Sequence, residues 1–244
     1  MPDFLERPGL PALAFAHREG EGPTIVFLPG YGSDMEGSKA VALDAWAEAQ
    51  GRAILRLDYR GCGQSEGVFG DSTLDDWRDD VLDAIDTLTQ GPLILVGSSM
   101  GGWLMLLIAL ERPERIAALV GIAAAPDFTE WGYDENQRAA IESDGLIAVE
   151  HPDYDTPEIT TRAFWRSGQA NLLLDGEIPI DCPVRLLHGQ DDRDVPPSVA
   201  FRLGRALRSA DVQTMLVKGG EHRLSRPGDL ALLLTTVGAL IETL

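Results

Sequence analysis

Leu93-Ile94-Leu95-Val96-Gly97-Ser98-Ser99-Met100-Gly101 passes from a short apolar run into a turn, and Gly102-Trp103-Leu104-Met105-Leu106-Leu107-Ile108-Ala109-Leu110 continues as an apolar helical stretch. The turn reads Gly-x-Ser-x-Gly between a strand and a helix, the pattern of a nucleophile elbow. In such a turn the central residue takes a strained backbone and its hydroxyl stands above the sheet. Bulky neighbours would collide, so glycines flank it. The helix that starts just after Ser99 aims its first N–H groups and the positive end of its dipole at developing negative charge. Ser99 is therefore the candidate covalent nucleophile. With 26 glycines in the chain a chance match is not rare, so the surrounding sequence has to carry the assignment.

Outward from the elbow, strands and helices alternate. Leu10 to His17 reads as an edge strand, and Thr24 to Leu28 as a short apolar strand ending in Pro29-Gly30. Ser38 to Gln50 reads as a helix and Arg52 to Leu57 as a strand. Ser72 to Leu88 reads as a helix opened by a capping box of Ser72 and Asp75. Arg115 to Gly121, Val184 to His188 and Val212 to Val217 read as further strands, with a helix from Pro196-Pro197 to Arg208. The last helix, Asp229 to Leu244, has apolar residues at i, i+3, i+4, i+7 and is expected to leave Thr235, Thr236 and Glu242 near water. This alternation predicts an α/β fold: a mostly parallel sheet with helices on both faces, and ligands at the carboxyl ends of the strands. Residues 126–180 hold more chain than one crossover needs, and a loop that long is rarely unstructured. They are expected to form a small helical cap inserted into a core made of residues 1–125 and 181–244. Trp131, Phe164 and Trp165 in the cap are candidates for lining a substrate pocket, with the cap's own core as the competing role.

A serine nucleophile needs a base, and the base an orienting acid. Of His17, His151, His188 and His222, only His222 follows the acid candidates and every strand, in the loop Lys218-Gly219-Gly220-Glu221-His222 after the last strand. The acid comes from Gly189-Gln190-Asp191-Asp192-Arg193-Asp194-Val195-Pro196, where the spacing G-x-x-D-x-x-V-P selects Asp192. Asp191 and Asp194 are alternatives better suited to turns or helix caps, and Asp127 is a lesser rival. For the oxyanion hole, one donor is the Met100 N–H. The other belongs to Leu28-Pro29-Gly30-Tyr31-Gly32-Ser33-Asp34, with Tyr31 preferred and Gly32 second. Asp58-Tyr59-Arg60-Gly61-Cys62-Gly63-Gln64-Ser65 reads as a structural loop bridged by Arg60. Arg162, Arg166 and Arg223 read as surface charges, with contact to an anionic leaving group as the alternative.

Composition narrows the function further. A net charge of −19 argues against nucleic acid and against docking on an anionic membrane surface. No apolar run is long enough to span a bilayer, so stable membrane insertion is not expected. Cys62 and Cys182 lie far apart without metal or disulfide spacing and read as small structural thiols. No metal set and no dinucleotide loop is present, so no cofactor is expected.

The stretches Phe27-Leu28-Pro29-Gly30-Tyr31, Asp58-Tyr59-Arg60-Gly61-Cys62-Gly63, Thr73-Leu74-Asp75-Asp76-Trp77-Arg78, Leu95 to Met105, Cys182-Pro183-Val184-Arg185-Leu186-Leu187-His188-Gly189 and Glu221-His222-Arg223 resemble the α/β-hydrolases. Within that family they resemble the branch of palmitoyl-protein thioesterases and mycophenolic acid acyl-glucuronide esterases. The resemblance implies an α/β-hydrolase fold, a Ser99, Asp192 and His222 triad, and cleavage of esters or thioesters on a small-molecule or acylated substrate. C–C hydrolases, acyltransferases and peptidases use the same triad, and a non-catalytic binding module is the rival from outside enzymology. The N-terminus lacks a transit-like or signal-like segment, from which a cytoplasmic protein is expected. Oligomeric state is left open.

Overall fold

In the computed structural model, which describes residues 2–150 and 157–244, β1 (Asp3–Arg7) and β2 (Leu10–Arg18) form a hairpin. Gly9 turns it with φ of 77°. The chain continues through β3 (Glu21–Leu28), α1 (Ser38–Ala49), β4 (Arg52–Leu57), α2 (Leu74–Leu88), β5 (Leu93–Ser98), α3 (Met100–Glu111) and β6 (Ile116–Ile122). Next come α4 (Phe128–Trp131), α5 (Glu135–Asp144), β7 (Leu146–Val149), β8 (Glu158–Thr161) and α6 (Arg162–Ala170). The chain closes with β9 (Val184–Gly189), α7 (Pro197–Ala206), β10 (Val212–Val217) and α8 (Pro227–Ile241).

Eight strands form one sheet in the order β1-β2-β4-β3-β5-β6-β9-β10. Pairing is antiparallel from β1 through β4 and parallel from β4 to β10. The order reverses at β3, beside which β5 is inserted, so the loops after β3 and β5 meet at one sheet edge.

Period-two alternation fills both faces. Val26, Leu28, Leu55, Leu57, Leu93 and Leu95 point to the face covered by α2, α3 and α7. Ile25, Phe27, Ile54, Ile94 and Val96 point to the face covered by α1 and α8. Because α3 is apolar all round, its residues from Met100 to Ala109 are all buried, as that pattern requires.

Four expectations are corrected. The edge strand is β1, formed by the first residues of the chain, and β2 lies inside it between β1 and β4. The Asp3-Phe4-Leu5-Glu6-Arg7 run has little alternation to announce a strand; it is held by pairing with β2 and by Arg7, whose guanidinium donates to Asp80 and to the Pro11 carbonyl. The capping box of α2 is one residue later than expected. Thr73 Oγ accepts from the Asp76 N–H, and the Asp76 carboxylate accepts from the Thr73 N–H, while Ser72 bonds back to the Val68 carbonyl. Thr236 is buried rather than near water, its hydroxyl satisfied by the Leu232 carbonyl one turn back. Finally, the segment over 126–180 is not purely helical, because β7 and β8 pair as an antiparallel hairpin between α5 and α6. His151 lies outside the described residues.

Candidate active site

Ser99 sits between β5 and α3 at φ 54°, ψ −120°, a conformation that an L-residue holds only under constraint. The constraint is visible on both sides. The Ser99 N–H donates to the Ile122 carbonyl at 2.9 Å, and the Ser99 carbonyl accepts from Gly102 and Ala125 at 2.9 and 3.0 Å. The glycines are steric requirements: a Cβ on Gly97 would strike the Gly101 backbone, and one on Gly101 would strike the Leu28 and Pro29 carbonyls. The turn can therefore fold only with its hydroxyl forced outward, beside the loop after β3.

That loop is fastened from below. Tyr59, fully buried, donates its hydroxyl to the Pro29 carbonyl at 3.0 Å. Asp58 accepts from the Met35 N–H at 2.7 Å, and Arg56 donates to the Met35 carbonyl at 2.6 Å. Gly30 lies close enough that a Cβ there would come 3.3 Å from Ser99 Cβ. Tyr31 follows Gly30 in the chain, as Met100 follows Ser99 at the start of α3. The Tyr31 ring packs on Phe69, Trp77, Phe128 and Phe164, with centroids 4.8 to 5.9 Å apart. Its hydroxyl donates to the Ile159 carbonyl of β8 at 2.7 Å. Burial, with Tyr133 and Glu158 nearby, pushes the Tyr31 phenol far above its ordinary range, so it remains a donor.

His222 Nε2 lies 3.1 Å from Ser99 Oγ, and Nδ1 lies 2.9 Å from Asp192 Oδ2. The chain of contacts is continuous from hydroxyl to carboxylate. Asp192 has no exposed side-chain surface. Its Oδ1 accepts from the Asp194 and Val195 N–H groups at 3.0 and 2.8 Å. Burial alone would raise the Asp192 carboxyl; the hydrogen bonds from His188, His222 and Val195 outweigh it and hold the group well below the usual carboxylate range. The acid loop and the histidine loop interlock. The Asp191 N–H donates to the Gly220 carbonyl, and a Cβ on Gly189 would strike that same carbonyl. On the far side Lys39 donates to the Arg223 carbonyl at 2.6 Å, and burial together with the Arg223 charge lowers its ammonium to about 8.

The rivals are placed elsewhere. Asp127 spends its carboxylate on the Leu173 and Leu174 N–H groups at 2.9 and 2.7 Å, and burial raises it. Arg166 pairs with Glu142 at the surface. Arg60 bridges Asp76 and Asp80, as expected of a structural loop. Cys62 and Cys182 are free thiols pushed by burial to about 12 and about 11. Of the aromatic candidates, Phe164 is buried against Tyr31 and Trp77 beneath the loop after β3. Trp131 and Trp165 donate to the Pro126 and Thr129 carbonyls, within the segment between β6 and β9. Asp192, Asp194 and His222 also present ligand atoms within 4.8 Å of one another. Both His222 nitrogens and both Asp192 oxygens already have partners within the site. Reading the sequence missed His188, whose only signal was a histidine closing an apolar strand four residues before Asp192. It also missed Lys39, which carried no signal at all.

A model of the alpha/beta hydrolase fold matches residues 23–146. The chain is 39% identical over 99% of its length to human mitochondrial palmitoyl-protein thioesterase ABHD10, covering 80% of that protein. The chain belongs to the α/β-hydrolase family.

Among solved structures, alpha/beta hydrolase domain-containing protein 10 from mouse superposes with a TM-score of 0.93 at 38% identity, covering 100% of this chain and 99% of that one. A putative hydrolase from Agrobacterium vitis S4 superposes at 0.92 with 35% identity, covering 99% and 98%. This α/β-hydrolase is accordingly a serine hydrolase of the esterase and thioesterase kind. One expectation falls. The human, orangutan and bovine relatives are named as mitochondrial, which overturns the cytoplasmic reading. That reading leaned on the N-terminal residues, and a cellular address is carried by segments that a folded hydrolase domain does not need. Among the described residues no helix is long and apolar enough to cross a membrane.

Proposed function

We propose that Ser99, His222 and Asp192 are the catalytic triad of an acyl-thioesterase or esterase acting on S-acylated or O-acylated substrates. The observation that carries this reading is the unbroken contact chain Ser99 Oγ–His222–Asp192 at 3.1 and 2.9 Å, built on a strained serine. His222 Nε2 takes the Ser99 proton as the oxygen attacks the acyl carbonyl. Nδ1–H stays on the Asp192 carboxylate, which stabilises the imidazolium. The tetrahedral oxyanion rests on the Tyr31 and Met100 N–H groups, each worth about 3 to 4 kcal/mol. His222 then protonates the departing thiol or alcohol. Water repeats the sequence on the acyl-enzyme and restores Ser99.

We take residues 1–125 and 181–244 as the catalytic core and 126–180 as a cap. We assign acyl-chain fit to Phe164, which packs on Tyr31, and give Trp131 and Trp165 the role of tying the cap through the Pro126 and Thr129 carbonyls. The human relative is named for palmitoyl-protein substrates, which makes long acyl-thioesters the first class to try. The acidic charge of −19 fits a substrate other than nucleic acid. The test is initial rates on p-nitrophenyl esters and acyl-thioesters of increasing chain length. Ser99→Ala should abolish turnover, and Asp192→Asn should lower kcat by about 10⁴ by fixing the wrong histidine tautomer. Turnover that survives Ser99→Ala refutes the triad.

A further inference from the structure

We infer that His188 is a positioning residue for the triad, whose Nε2–H fixes the carboxylate oxygen that His222 uses; this rests on the triad reading above. His188 closes β9 and is 1% exposed. Its Nε2 lies 2.9 Å from the Val195 carbonyl and 3.3 Å from Asp192 Oδ2. Both partners are acceptors, so Nε2 carries the proton and the ring has one orientation. Asp192 Oδ2 is also the oxygen 2.9 Å from His222 Nδ1. The Val195 N–H returns to Asp192 Oδ1 at 2.8 Å, so the Val195 peptide is hydrogen-bonded to both residues and the 3.3 Å approach of His188 Nε2 to Asp192 Oδ2 closes the ring. The acid is thus gripped from behind by a second imidazole while the first works in front.

Two effects follow. The ring aims Oδ2 at His222. The His188 N–H also draws charge from that oxygen, so the carboxylate holds the His222 imidazolium less tightly. Asp194 on the acid loop surrounds the pair, its carboxylate clustering with Asp192 and His222. Glu221 and Arg223 flank His222 in sequence, and Lys39 from α1 is held on the Arg223 carbonyl. All four remain in place when residue 188 is changed, so a shifted profile reads the His188 contact.

The experiment compares His188→Leu, which removes the donor, with His188→Gln, whose side-chain N–H reaches the same position. The readouts are kcat/KM for p-nitrophenyl butyrate and the rate of fluorophosphonate labelling, each against pH, with thermal midpoints alongside. His188→Leu should move the acid limb up by about half a pH unit, a loss of about threefold on that limb beyond any change of plateau. His188→Gln should bring it back toward wild type. A merely structural role would lower the thermal midpoint and the plateau and leave the limb in place. An unmoved limb in folded His188→Leu, or His188→Gln no closer to wild type than His188→Leu, overturns the inference. Should His188→Leu not fold, His188→Asn replaces it, since its shorter amide falls short of Oδ2. If wild type shows no Ser99-dependent turnover or labelling, the triad reading falls and takes this with it. An active wild type with unmoved limbs sinks the His188 role alone.

Discussion

Replacing Ser99 by glycine should give a more stable protein than replacing it by alanine, the reverse of the usual order. Ser99 stands at φ 54°, ψ −120°. A Cβ in so sparsely populated a region costs about 1 to 3 kcal/mol, and alanine keeps that Cβ. Glycine removes the strain but widens the unfolded ensemble, at about 0.4 to 1 kcal/mol. Both variants lose the same contact to His222 Nε2 at 3.1 Å, so that contribution cancels between them. The balance favours Ser99→Gly by about 1 kcal/mol, which for a domain of this size is about 2 to 4 °C in Tm. At an unstrained position the same comparison favours alanine by about 0.5 to 1 kcal/mol, so the sign decides. Both variants are inactive, and urea unfolding of the two side by side is the assay, with equal m-values as the condition for comparison. Alanine equal to or above glycine would mean that the turn is not strained and that the hydroxyl is exposed for some other reason.

Asp127→Ala leaves the Leu173 and Leu174 N–H groups without their buried acceptor and should cost about 1 to 3 kcal/mol, read by chemical denaturation, with Ser99 still open to fluorophosphonate labelling; a silent substitution refutes the role given to this carboxylate. The Asp192 carboxyl is held below its ordinary value in the folded protein. Its contribution is therefore complete above the unfolded carboxylate range near pH ~4 and fades as pH falls through the lower folded value. The stability gap between wild type and Asp192→Asn should shrink from pH 6 to pH 3, and a gap that widens over that range contradicts the sign.

What the sequence made legible follows from locality. The elbow is a contiguous pattern whose glycines answer to contacts made within a few residues, so Gly97, Ser99 and Gly101 could be read directly. Chain order then limited the proposed base to His222, because a parallel sheet delivers each successive loop to the same edge. Among three neighbouring aspartates the spacing to Val195 selected the one whose carboxylate turns back on the Val195 N–H. The parts that were not legible depend on contacts between distant segments. The β1 strand has weak alternation and exists because β2 offers it a partner and Asp80, from α2, holds Arg7. The antiparallel pairing of β7 with β8 joins segments separated in sequence, with no tight-turn signature between them. The capping box slipped by one because Ser72-Thr73 offers two equivalent caps before Asp75-Asp76. Only the Arg60 guanidinium on Asp76 and the Ser167 hydroxyl on Asp75 decide between them.

Tyr31 shows why the site and the segment over it are one mechanical unit. Its N–H is the oxyanion donor we propose, its ring is walled by Phe69, Trp77, Phe128 and Phe164, and its hydroxyl holds the Ile159 carbonyl of β8. A second tie runs from the catalytic core to α6, where Asp75 takes the Ser167 hydroxyl at 2.6 Å and the Asn171 amide at 3.0 Å. Movement of β8 stretches the first attachment, and movement of α6 stretches the second together with the bond from the Trp103 Nε1–H to the Asn171 carbonyl. The first pulls on the loop that carries the proposed oxyanion donor, while the second pulls on α2 and, through Trp103, on α3. Under the proposed function, chain-length fit and transition-state stabilisation are coupled through Tyr31, because the residue we assign to the oxyanion also packs on Phe128 and Phe164.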